Sequence, residues 1–142
     1  MKKAALILAA MVVVTIASFW FLMLRSHASI STTQVDRSIS IAASAPPIIS
    51  RSGAAFAIVT GELNGTAKIE IVGNRGRDKE QFEVGPGGFE LARGGAENWI
   101  PDYGIVYTPI TATSGSIYAS VYCGDGMKED DRKLHHEIAR RK

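Results

Sequence analysis

The chain is poor in the residues that most enzymes use for chemistry. Its only cysteine is Cys123, and its three histidines, His27, His135 and His136, all lie outside the stretch from Gly53 to Cys123. A lone cysteine excludes an internal disulfide. Without a histidine, a nucleophile inside that stretch would have to take its base from a flanking segment. Asp131 and His135 stand at i and i+4, but no cysteine or histidine cluster completes a zinc ligand set around them. No metal site or cofactor is therefore expected.

Phosphate-binding motifs are also missing. The glycine-rich run "IVGNRGRDKEQFEVGPGGFE", Ile71 to Glu90, contains neither GxxxxGK[ST] nor GxGxxG, and no helical pattern follows it. Its glycines read as punctuation between strands. Arg75 and Arg77 at the tip of one such turn are free to meet an anionic partner. An excess of basic charge is absent too. Setting aside Lys2, Lys3 and Arg25, the 16 basic residues become 13 against 14 acidic ones, a net of −1. Nucleic acid is not an expected partner.

What the chain has in quantity is a long apolar run. Ala4 to Leu24 carries no charge and has only Thr15 and Ser18 as polar members, between Lys2-Lys3 and Arg25. At about 1.5 Å per residue this is about the thickness of a bilayer core. Phe19, Trp20 and Phe21 near one end suit the headgroup zone. Residues 1–25 therefore read as a signal anchor or transmembrane segment, with residues 4–24 in the membrane. The basic N-terminus favours an inside position, leaving the rest outside the cell or in a periplasm. The alternative is a signal peptide cleaved near Ala28, after "SHA", although the apolar run is longer than such segments usually are.

Residues 26–52 are rich in serine and contain Pro46-Pro47, as a flexible spacer would; "IISRS" within them is also compatible with an edge strand. Residues 53–123 form the β domain. Ala54–Leu63 and Thr66–Gly73 flank Asn64-Gly65, which predicts a hairpin with a type I′ turn. The same "NGT" is an N-glycosylation acceptor pattern. Further strands follow at Lys79–Gly85, at Phe89–Arg93, around Ile105–Thr108, and at Ile117–Cys123. The spacing predicts an all-β fold, a small antiparallel sandwich or partly closed barrel of about six strands. Residues 124–142 form a charged tail. Met127, Leu134 and Ile138 make a narrow helical stripe, so the tail is expected to be solvated and helical part of the time.

The most site-like cluster is Glu97, Asn98, Trp99, Asp102 and Tyr103, where aromatic and polar groups share a loop as they do in recognition surfaces. The competing reading has Trp99 plugging the β core. Cys123 reads as packing or as an intermolecular thiol. A 71-residue β region (Gly53 to Cys123) without a disulfide is marginal on its own, which favours self-association or a larger complex.

The expected function is a membrane-anchored, exported, non-enzymatic interaction or assembly module of the cell envelope. Its partner would be another envelope protein or a second copy. One alternative is a cleaved, secreted ligand-binding or inhibitor protein. A further alternative is a carboxylate-dependent hydrolase built around Glu97 and Asp102.

Overall fold

The computed structural model describes residues 2–24, 26–45, 54–95, 102–124 and 127–141; within the first helix it describes the side chains of Ile7 and residues 10–20. Helix α1 (Lys2–Leu24) is followed by eight strands: β1 (His27–Thr32), β2 (Ile39–Ser44), β3 (Ala55–Leu63), β4 (Ala67–Gly73), β5 (Asp78–Val84), β6 (Gly87–Gly95), β7 (Asp102–Pro109) and β8 (Gly115–Cys123). Helix α2 (Glu129–Arg140) ends the order. The fold is mostly β, as expected. Among the described residues, which in α1 include the side chains of Ile7 and residues 10–20 alone, no helix is long and apolar enough to cross a membrane.

The strands form two open antiparallel sheets, ordered β1-β8-β3-β6 and β2-β7-β4-β5. This is the strand order of a jelly roll, a double sheet built from two Greek keys. Alternating side chains fill the space between the sheets. Ala67, Ile69 and Ile71 of β4 face Ala57, Val59, Ala119 and Val121 of the opposite sheet in one core cluster, while Lys68 and Glu70 point away. At the edge where β5 and β6 lie, the Arg93 guanidinium sits 4.5 Å above the Phe82 ring and bonds Glu80 at 2.9 Å, linking the two sheets.

Four expectations are corrected. Of the two architectures expected, the open sandwich holds, but it has eight strands rather than about six. The two additional strands, β1 and β2, lie in the segment read as a spacer. They are short and built of Ser, Thr, Ala and Ile, so their period-2 pattern carries little apolar signal. The "IISRS" stretch lies outside the described residues.

Asn64-Gly65 is not a hairpin turn, because β3 and β4 belong to different sheets. Neither residue has the positive φ that a type I′ turn requires. The Asn64 side chain instead ties the crossing to the β7–β8 connection. Its Oδ1 accepts from the Thr113 and Ser114 amides at 2.9 and 3.0 Å, and its Nδ2 donates to Thr113 Oγ1 at 2.9 Å.

The tail is not a loose solvated segment. Helix α2 lies on the outer face of the β1-β8-β3-β6 sheet, with Met127 and Ile138 buried against Ile58, Ala92 and Tyr122. Of the stripe seen in the sequence, Leu134 and Ile138 lie on the helix, and Met127 packs beside them from the segment just before it. The stripe docks because β3 and β8 present apolar and aromatic residues on both faces. With β1, β2 and α2 included, the folded unit is also larger than the 71 residues on which the size argument for self-association rested.

Candidate functional site: a carboxylate clasp on the outer face of the sandwich

Strand β8 alternates inward residues (Ala119, Val121, Cys123) with outward ones (Tyr118, Ser120, Tyr122). The outward set would normally face water, but α2 covers it. Asp131, in the first turn of α2, is 6% exposed. Its Oδ1 accepts from the Tyr118 hydroxyl at 2.7 Å, and its Oδ2 accepts from the Ser120 hydroxyl at 3.2 Å and from the Tyr122 hydroxyl. Three hydroxyls at i, i+2 and i+4 on one strand face thus converge on one carboxylate. A buried carboxylate with this many donors is satisfied where it would otherwise be costly.

His27, the first residue of β1, completes the group. Its ring stacks on Tyr122 with centroids 4.1 Å apart and planes 10° apart, and its Nε2 lies 3.4 Å from Ser120 Oγ. Burial lowers the His27 pKa; the Lys128 charge lowers it further and the Asp131 charge opposes both. Burial, and then the bond to Asp131, raise the Tyr122 phenol to about 12. Tyr118 is raised for the same two reasons.

Ser120, His27 and Asp131 are the residue types of a hydrolytic triad, but their arrangement is different. The serine lies between the other two, and it is completely buried. No substrate carbonyl can reach Ser120 Oγ while α2 is docked. The geometry suits a clasp that fixes the C-terminal helix, not a nucleophile.

The sequence did not reveal this group, because His27, Ser120 and Asp131 are scattered through segments read as spacer, strand and tail. The only signal was the run of hydroxyls Tyr118, Ser120 and Tyr122 on the face of β8 that a plain sandwich would expose. His135, paired with Asp131 in the sequence reading, packs edge-on against Phe56 with centroids 5.0 Å apart. Burial lowers its pKa as well. Among the described residues, no group of three or more His, Cys, Asp or Glu side chains could hold a metal ion.

The sequence-derived patch is only partly described, since Glu97, Asn98 and Trp99 lie outside the described residues. Asp102 Oδ1 accepts the Arg75 backbone N–H at 2.7 Å, fixing the tip of the β4–β5 hairpin. Tyr103 points inward, 8% exposed, and burial raises its phenol to about 12. Asp102 and Tyr103 therefore do not share one exposed surface.

Arg75 and Arg77 are exposed at the hairpin tip, where Asn74, Arg75 and Gly76 all have positive φ. Cys123 is 1% exposed, its Sγ–H donates to the Ala43 carbonyl at 3.4 Å, and burial raises its thiol to about 12. That is the packing role, one of the two readings of this residue.

No protein-family model matches the chain, and no curated protein matches it. Among solved structures it is similar to the Yersinia pseudotuberculosis-derived mitogen, at 13% identity and a TM-score of 0.40, over 73% of this chain and 90% of that one. The likeness is too distant to say anything of function.

Proposed function

We propose that the chain is a membrane-anchored, exported jelly-roll module that works by binding, to another envelope protein or to further copies of itself, and not by catalysis. The observation that carries the anchor is α1. Ile7, Met11, Val12, Val13, Val14, Ile16, Phe19 and Trp20 are each 49–65% exposed. Residues 11 to 14 are consecutive, so these side chains point to every side of the helix. An all-round apolar helix is stable in lipid or under a partner, and costs about 25 cal/mol for each Å² of apolar surface left in water. The full span of 21 uncharged residues, Ala4 to Leu24, is the length that a bilayer takes.

A mature chain beginning at Ser29 is disfavoured by β1. It would lack His27 and Ala28, which pair with Tyr122 and Val121 of β8. With them would go the ring stacked on the clasp.

Support for a binding role comes from the sheet edges. Edge strand β5 carries Asp78, Lys79, Glu80 and Glu83, charges that discourage strand pairing. Edge strands β1 and β2, "HASIST" and "ISIAAS", carry no acidic, lysine or arginine residue. An uncharged edge is the kind that accepts a further strand. The test is sedimentation of the full chain in detergent micelles, together with crosslinking in the membrane. Oligomers or a crosslinked envelope protein that disappear in a Ser29→Lys/Ser31→Lys variant support the reading. A strictly monomeric chain with no crosslinked neighbour overturns it.

A further inference from the structure

The pairing registers define two ends of the sandwich. His27 pairs with Tyr122, Ala55 with Cys123, Ala55 with Gly95, Ser44 with Asp102, and Gly73 with both Tyr103 and Asp78. The start of β1, where the chain leaves α1, is therefore at the same end as the Asn74–Gly76 turn. The Cys123 Sγ–H bond to the Ala43 carbonyl joins the two sheets at this end.

Only Arg25 and Ser26 separate Leu24 from His27. At about 3.5 Å per residue, the Cα atoms of Leu24 and His27 can be no more than about 11 Å apart. A headgroup layer is about 5–7 Å deep on each side of the core, and charges in about 0.15 M salt act over about 8 Å. With α1 in a bilayer, this end of the sandwich is held at the lipid surface.

Within that end, β1 and the β4–β5 turn occupy opposite corners. The strand orders separate them by two to three spacings of about 4.8 Å, and the sheets lie about 10 Å apart, giving a diagonal of about 14–18 Å. The tether holds one corner and Arg75 and Arg77 stand at the other. Both side chains are exposed, and among the described residues neither makes an ion pair. Among the described residues, the acidic groups nearby are already engaged or are few. Asp102 is occupied by the Arg75 N–H, and Glu80 by Arg93; Asp78 is exposed. The turn itself is pinned by the Asp102 bond, so the arginines are presented from a fixed backbone.

Resting on the anchoring reading above, we infer that the Arg75–Arg77 turn is a second membrane contact, whose guanidinium groups bind the phosphates of anionic lipid headgroups. Arginine suits this task because its planar fork can give a phosphate two parallel N–H bonds. The domain would thus be seated at two corners instead of swinging from one.

The experiment is hydrogen exchange, read peptide by peptide, on the full chain in nanodiscs. One set is phosphatidylcholine alone, and the other contains phosphatidylglycerol. Each arginine near an anionic surface is worth about a fivefold change in binding. Exchange across residues 73–78 is expected to slow at least fivefold in the anionic discs only. High salt should remove the effect, and so should Arg75→Gln/Arg77→Gln, whose altered side chains pack on nothing. Equal exchange of the turn in both discs overturns the inference. The anchoring reading has its own readout in the same data: α1 peptides protected in both lipids uphold it, and unprotected α1 peptides sink it.

Discussion

Replacing Asp131 with alanine gives the sharpest energetic test of the clasp. The substitution removes the acceptor of three hydroxyls. Tyr122 is 1% exposed and cannot turn to water, so its unpartnered hydroxyl costs about 1–3 kcal/mol; Ser120 is fully buried but keeps His27 Nε2 at 3.4 Å, so it loses less. Tyr118 is only partly buried and can recover a water bond, so its share is small. Removing Asp131 takes away the only buried charge of the group, and relief from burying that carboxylate offsets part of the loss. A net loss of about 2 kcal/mol is expected, which for a domain of this size lowers the melting temperature by about 8 °C.

The measurement is denaturant and thermal unfolding of the full chain in micelles, with hydrogen exchange of α2 alongside. Residues 127–141 should lose protection before the strands do, because the helix is released first. A double-mutant cycle of Asp131→Ala with Tyr122→Phe should show coupling above about 1 kcal/mol, since the two groups share one bond. A loss below about 0.5 kcal/mol, or unchanged α2 exchange, would refute the reasoning.

Three further outcomes follow from the same structure. His27 and His135 both have pKa values lowered by burial, so the unfolded chain takes up protons first; their stabilising contribution is present above about pH 6.5 and falls away as the pH drops below it. Unfolding curves should show α2 loosening on acidification, and His27→Gln with His135→Gln should flatten the dependence; a flat profile in the parent chain contradicts this. The Cys123 thiol, raised to about 12 and held by the Ala43 carbonyl, should resist alkylation at neutral pH until denaturant is added, and non-reducing gels should show no crosslinked dimer. Labelling at the rate of a free thiol would place it at the surface. Gly94 has φ +104°, and a Cβ there would stand 1.8 Å from the Ala55 carbonyl oxygen, so Gly94→Ala should destabilise by more than about 1 kcal/mol in urea titration; a smaller change would mean that the β3–β6 pairing is not as described.

The six central strands were readable because Ile, Val, Phe and Tyr alternate with polar residues between glycine and proline breaks. Their partners were not readable. Whether Asn64-Gly65 closes a hairpin or crosses between sheets depends on the β7–β8 connection, residues 111–114, which lies far along the chain. Strands β1 and β2 escaped because serine and alanine fill a strand without an apolar alternation strong enough to mark it. The Met127, Leu134 and Ile138 stripe was visible, but its docking surface was not. That surface exists only because Ile58 and Tyr122 point outward from sheets whose inner faces are already apolar. The clasp was the least legible part. Its histidine, serine and aspartate come from β1, β8 and α2, and only the folded order brings them together.

The central proposal is that α1 holds this jelly roll at a membrane. Carbonate extraction of membranes, followed by mass spectrometry of the retained chain, tests it most directly. The account predicts that the chain stays in the pellet with its N-terminus at Met1 or Lys2. Release into the supernatant without detergent, or a mature chain starting at Ser29, would contradict it.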